Sequence, residues 1–462
     1  MIRKIKLPVV LVATSISSFT TPFLGSSVNV ALPAIAHDFS MSALALSWVA
    51  SAFIMAAAIM LLPLGRLADL HGRKVFFFAG SIILSVSSLL SVFSSSEAVF
   101  IALRVVQGVG SAMIFSTGTA MLISAYPPHR RGMVLGINVA AVYIGLTIGP
   151  FIGGMIVEHL GWKTIFIVNA LLGAAAAGLC FLMDKEKLTP ANGEDFDLAG
   201  SLLYAVALFS LMYGFSKLPR ATGAVLVAGG MICFVFFIHR QLHITFPLIN
   251  VRLFSDNRVF GMSNLAALIN YCATFAVTFL MSLYLQHVKL MSPSHTGFVL
   301  VLSPMLQAFF SPFAGWLSDR REPRIIASTG MAFSVVGLAG LAFISAATPV
   351  ALILLWLSLL GIGFALFSSP NVNAVMSCVE NKLYGIASAT LATMRLVGQM
   401  LSMGVAMLIF SCVIGDQPLS PANSGLLVLS SKIIFSIMAA ICVLGVFASL
   451  ARGRVHDGSG AS

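Results

Sequence analysis

Long apolar runs alternate with short polar breaks along the whole chain, at residues 8–32, 43–63, 75–94, 98–122, 133–157, 162–183, 198–215, 221–238, 259–286, 294–317, 325–345, 349–369, 385–413 and 431–451. A helix rises about 1.5 Å per residue, so about 20 apolar residues cross a hydrocarbon layer of about 30 Å. Backbone amides find no partner in lipid, and the runs are too long and unbroken for barrel strands. The pattern predicts an all-α polytopic membrane protein with 14 transmembrane helices.

Composition agrees: 59% of the 462 residues are hydrophobic and 9% are charged, which excludes an ordinary soluble enzyme. The formal charge of +11 is best read by position. An even number of spans puts both termini on one face, and that face carries nineteen Lys and Arg against five on the other, with Arg104 and Arg395 inside spans. By the positive-inside rule both termini are cytoplasmic in a plasma membrane, and the basic excess reports topology rather than nucleic-acid binding. The basic Met1–Lys6 segment and the apolar run after it lack an early cleavage site and read as a retained first span. The six cysteines show no metal-ligand spacing, and neither metal nor cofactor is expected. No catalytic constellation or phosphate-binding loop is present, which argues against an enzyme and against ATP drive. The longest polar stretch, Asp184 to Asp197, is too short to fold into a signalling domain.

One phrase occurs twice. Gly65-Arg-Leu-Ala-Asp69-Leu-His-Gly72-Arg73-Lys74 follows the second span, and Gly315-Trp-Leu-Ser-Asp319-Arg320 follows the tenth, 250 residues later. A duplicated six-helix unit accounts for both if spans seven and eight are an insertion. The expected organisation is an N-terminal bundle over 1–183, a linker with two inserted helices over 184–258, and a C-terminal bundle over 259–462.

With these motifs in place the sequence resembles the major facilitator superfamily, in its branch of fourteen-spanner drug:proton antiporters. Gly65 to Lys74 is similar to the superfamily's loop signature. Leu103-Arg104-Val-Val-Gln107-Gly108-Val-Gly110 is similar to its fourth-span element, and Gly145-Leu-Thr-Ile-Gly149-Pro150-Phe-Ile-Gly153-Gly154 to its antiporter element. The segments Pro247 to Phe254, Gly361 to Asn373 and Gly385 to Gly398 resemble further landmarks of the branch. The resemblance implies the major facilitator fold, transport of small organic molecules by alternating access, export as the direction, and protons as coupling ion. It links Arg104 to proton transfer.

Each motif also has a physical reading. Asp69, Arg73, Lys74, Asp319 and Arg320 sit on loops of about ten residues, where they can latch one half against the other by charge-assisted hydrogen bonds. Gly145, Gly149 and Gly153 share one helix face beside Pro150, which permits close helix packing and a bend. Arg104 and Arg395 are cations at membrane depth and thus candidate functional residues.

The departure from the family lies in its acids. All fifteen carboxylates map to loops or span edges, and the first-span phrase has Leu24 and Ser26 where the family places aspartate and threonine. The interior polar set is neutral. Ser26, Asn29, Asn264, Asn270, Tyr271, Gln307, Asn371, Asn373, Arg395 and Gln399 form the candidate substrate cavity, suited to neutral or anionic solutes. An exporter resembling multidrug efflux proteins is expected. An uptake carrier or facilitator for a neutral or anionic metabolite is the alternative, and a monomer in the bilayer is expected in either case.

Overall fold

The structure, a computed structural model, describes residues 2–183, 195–380, 384–415, 417, 419 and 423–453. Most of the Asp184–Asp197 stretch, and Lys382, Asp416 and Arg454, lie outside the described residues. The helices are α1 (Ile2–Phe39), α2 (Ala43–His71), α3 (Arg73–Val92), α4 (Glu97–Ala125), α5 (Pro128–Leu160), α6 (Lys163–Phe181), α7 (Leu198–Lys217) and α8 (Ala221–His243). They continue as α9 (Arg252–Asp256), α10 (Arg258–Thr274), α11 (Ala276–His287), α12 (Pro293–Leu300), α13 (Leu302–Ser318), α14 (Pro323–Leu341), α15 (Val350–Ser377), α16 (Tyr384–Val413) and α17 (Ser424–Ala451). Among the described residues these make 14 spans long and apolar enough to cross a membrane, because α10 with α11 and α12 with α13 are each one interrupted span. The protein is an integral, multi-pass, all-helical membrane protein.

Local chemistry sets the ends. Ser42, Ser96, Asn257 and Ser292 each accept a backbone N–H from the first turn of the helix they precede. At the break between α10 and α11, the Ala276 N–H donates to Ser402 Oγ of α16 at 3.0 Å, so the amide that leaves the helical ladder keeps a partner. The expected ten-residue loop between the second and third spans is corrected. Helix α2 runs on to His71 and α3 begins at Arg73, leaving Gly72 as the whole connection. Its φ of 112° is open to glycine and strained for any other residue, which explains why the motif needs glycine there.

The first six helices pack among themselves, α1 on α5 and α6, α4 on α2 and α3, and α3 on α6. The last six spans repeat this, with α10 on α16 and α17, and α15 on α13 and α14. One crossing recurs in both sets. A Cβ on Gly80 would lie 2.7 Å from the Gly110 carbonyl, and one on Gly363 would lie 2.6 Å from that of Gly330. Third and fourth spans therefore touch backbone to backbone through paired glycines in both halves. Between the halves, α2 packs on α16, α5 on α12 and α13, and α1 on α11, so second span meets fifth span twice.

The hairpin α7–α8 lies over only one of these seams, with α7 against α2 and α16. Tyr204 donates to the Ala58 carbonyl at 3.2 Å on one side, and Gly404 leaves room for the Phe215 ring on the other. At its foot Asp197, fully buried, caps α7 through the Gly200 N–H and pairs with Arg240 of α8 at 2.8 Å.

Candidate functional site

The halves close together on the face opposite the termini. Ser282 donates to the Asn29 carbonyl at 2.6 Å, Gln286 to that of Val30 at 3.0 Å, and the Ser294 N–H to Glu158 at 3.0 Å. Gly154 faces the Pro293 carbonyl and Gly297 the Pro150 carbonyl, each too near for any Cβ. Pro150 and Gly154 thus lie in the seam. Gly145, Gly149 and Gly153 face the other way, onto Phe19, Ser26 and Ser27 of α1.

Residues 132, 136, 143, 147, 150 and 154 of α5 recur at helical spacing and form one stripe. Gly132 and Gly136, nearest the terminal face, are exposed, and a Cβ on either would meet nothing within 4 Å. Tyr143 and Thr147 are half-buried, while Pro150 and Gly154 are buried. One helix face therefore runs from open space into a closed seam, which is the profile of a funnel open on the terminal face.

At the depth of Tyr143 the two halves present a cation and several rings. The Arg395 guanidinium of α16 lies 5.8 Å from the centroid of Phe115 on α4, across the interface. Tyr271 of α10 lies near Arg395, Ser368 and Tyr143, and its ring meets Phe364 edge-on at 5.3 Å. Gln399 lies one turn further along α16, half-buried like Arg395. Among the described residues no carboxylate is in ion-pair range of Arg395. Phe115, Tyr143, Phe364 and Ser368 were not legible as site residues among 35 Phe and 7 Tyr. The helical spacing from Tyr143 to Pro150 was the available signal.

Arg104 is sealed in its own half, 1% exposed, so it does not reach for the membrane surface. Its Nε donates to the Val49 carbonyl at 3.0 Å, and its Nη1 to Gln107 Oε1 at 2.8 Å. Gln107 donates onward to Ser91, and the guanidinium lies 4.6 Å from the Phe53 centroid. Gly108 lets α4 settle against the Phe53 carbonyl. This motif element is a polar knot joining α2, α3 and α4.

The paired loops lie on the terminal face. Arg73, at the start of α3, donates to Asp69, near the end of α2, at 2.7 Å, and Lys74 donates to the Met183 carbonyl at 2.7 Å. Gly65 packs against Ser116, Asp319 accepts from Asn373 at 3.1 Å, and Arg320 stacks on Trp316 at 4.2 Å. Among the described residues the contacts of Asp69, Arg73, Asp319 and Arg320 stay within their own half.

Several expected cavity residues have other partners. Ser26 donates to the Pro22 carbonyl at 2.7 Å, and Asn29 contributes its carbonyl to the closed seam. Asn264 donates to the Phe260 carbonyl at 2.9 Å, and the Gln307 carbonyl accepts from Ser311. Asn371 donates to the Ser263 carbonyl at 3.2 Å and accepts from Arg452 at 3.2 Å. Arg452, expected in a loop on the terminal face, is fully buried between α10, α15 and α17. Asn373 is taken up by Ser318 and Asp319. Asn270 is fully buried, and its amide has no partner among the described residues. Of the ten, the structure brings Tyr271 and Arg395 together at the interface, with Gln399 one turn along.

Two six-helix sets that meet on the face opposite the termini, in a chain with 14 candidate spans, are the architecture of a membrane transporter. The chain belongs to the Major Facilitator Superfamily, whose sequence profile matches residues 14–403 and, in a second match, 263–460. It is 29% identical to the riboflavin transporter RibZ of Clostridioides difficile (strain 630), over 98% of each chain. It is also 29% identical to the multidrug resistance protein Stp of Mycobacterium tuberculosis (strain ATCC 25618 / H37Rv), over 86% of this chain and 74% of that one. In fold it is similar to a bacterial homologue of the human lysosomal transporter Spinster, with a TM-score of 0.67, 15% identity and 96% of each chain covered.

Proposed function

We propose that this transporter exports small organic molecules across a plasma membrane by alternating access, with the Arg395–Tyr271 region as its midplane site. The graded stripe on α5, open at Gly136 and closed at Gly154, carries the reading. The basic bias of the terminal face supports a cytoplasmic location for both termini, so the structure corresponds to an inward-open state. The contacts within each half support bundles at 1–183 and 259–462, with 184–258 as linker and inserted hairpin. A monomer accommodates this arrangement, since both halves of the site come from one chain.

Asp69 and Arg73 turn to each other in this state, and on closure of the terminal face they are free to engage the opposite half. Protons are the coupling ion implied by the family. In this chain they do not act through a first-span carboxylate, because Leu24 and Ser26 occupy the family's positions. The similarity to both Stp and RibZ supports organic substrates without choosing between drug and metabolite.

Direction is tested in membrane vesicles given a fluorescent substrate from outside. Inside-out vesicles accumulating the substrate when given an interior-acid pH gradient is the expected result. Uptake that proceeds only in right-side-out vesicles, with or without a gradient, identifies an import carrier instead.

A further inference from the structure

The midplane site carries a cation without a counter-ion. Arg395 is half-buried, no carboxylate among the described residues lies in ion-pair range, and its neighbours are a phenol and a ring. A guanidinium at that depth is costly and sets up a positive potential that a cationic guest would raise and an anionic guest would relieve. Its planar fork matches a carboxylate, and the Tyr271 and Ser368 hydroxyls supply further donors.

The remaining walls are flat and aromatic. Phe115 and Tyr143 come from the first half and Phe364 from the second. Rings prefer offset or edge-on neighbours at 4.5–7 Å between centroids, so such walls favour a planar guest. The contact of Arg395 with Phe115, at 5.8 Å, is looser than that of Arg104 with Phe53, at 4.6 Å. It joins the two halves through a pair that a flat anion can enter, stacking on one member while pairing with the other.

We infer that the transported class is aromatic acids: planar ring systems bearing a carboxylate, held by Arg395 and Tyr271 and stacked against Phe115 and Tyr143. This rests on the alternating-access reading of the same site and specifies its substrate. Lipophilic cations are disfavoured, because the acid that would receive them is missing from the spans and an arginine stands at the interface.

The test uses detergent-purified full-length protein and three probes on one frame: naphthoate, naphthamide and a naphthylmethyl-trimethylammonium salt. Isothermal titration is expected to show naphthoate binding about tenfold tighter than naphthamide, with the cation weakest. Arg395→Gln should abolish the preference and Arg395→Lys should keep part of it. Tyr271→Phe should weaken naphthoate about threefold and leave naphthamide unchanged. Monodisperse elution of each variant establishes that it is folded. Tighter binding of the cation, no binding of any probe, or a naphthoate preference that survives Arg395→Gln overturns the proposal.

A second readout separates it from the transport cycle. Gly136→Cys is labelled with an impermeant thiol reagent over the parent's background. Slower labelling with a neutral or cationic probe, but not with naphthoate, keeps alternating access and rejects the aromatic-acid class. Arg395-dependent naphthoate binding that leaves labelling unchanged keeps the class and rejects the cycle.

Discussion

Arg104 and Arg395 are one arginine per half at membrane depth, and their surroundings differ in kind. Arg104 is enclosed by the Val49 carbonyl, the Gln107 amide and the Phe53 ring, all within the first half. Arg395 is half-buried, and the ring it meets belongs to the opposite half. A cation satisfied by its own bundle contributes to that bundle's architecture. One half-buried between the two halves is, on the proposed reading, available to a guest. Position in the fold, rather than residue type, separates an arginine enclosed in one half from one that meets the other half.

The largest expected effect breaks this comparison if it fails. Arg104→Ala removes the donor to Gln107 Oε1 and the second bond to the Val49 carbonyl, and opens a void inside the bundle, at a cost of about 3–5 kcal/mol. Thermal unfolding of the purified variant should show a large loss of stability or no monodisperse protein. Arg395→Ala should unfold within about 1 kcal/mol of the parent, because its side chain is half-buried and no described carboxylate pairs with it. An Arg104→Ala protein as stable as the parent but inactive would place Arg104 in the transport step that the family resemblance implies.

The exposed arginine of the loop motif sharpens the contrast. Arg73 has an acid partner, yet a solvent-exposed pair is worth about 0–1 kcal/mol, so its worth to the folded protein is small. If the pair acts by engaging the other half when the terminal face closes, Asp69→Asn or Arg73→Ala should slow transport about tenfold with little change in unfolding temperature. Both variants transporting at the parental rate would reduce the motif to a topology signal and a one-residue turn.

Much of the architecture was legible in the sequence because hydrophobic run length alone decides what crosses a membrane. The fourteen spans and the duplicated phrase required no contact information. The interrupted spans were not legible, because Phe275 and Val301 sit in unbroken apolar runs with helical dihedrals. The site was only partly legible. Arg395 stood out as a charge inside a span, whereas the asparagines drew attention by polarity alone. Asn371 and Asn373 proved to be engaged by Arg452 and Asp319. An interior amide serves packing or binding according to which helix faces it, and one sequence does not encode that pairing locally. The aromatic walls were hidden for the opposite reason, since phenylalanine is everywhere in a lipid-facing protein.

A fourth arginine completes the series from uncharged partners to a buried acid. Arg240 pairs at 2.8 Å with Asp197, whose side chain is fully buried at the foot of the inserted hairpin. Burial alone would push this carboxyl up. The Gly200 N–H, Arg240 and Gln241 together outweigh burial and hold it below the usual carboxylate range. A carboxylate with a depressed native pKa adds stability that is fully present above its unfolded value of about 4 and is lost as pH falls through the native value. Asp197→Asn should therefore cost about 1–2 kcal/mol at neutral pH, and the difference from the parent should shrink steadily below about pH 4. Parallel thermal melts of the two proteins across that range measure it. A gap that persists undiminished in acid would mean that Asp197 acts through its shape and its capping bond to Gly200, and that Arg240, like Arg104, is held by uncharged partners.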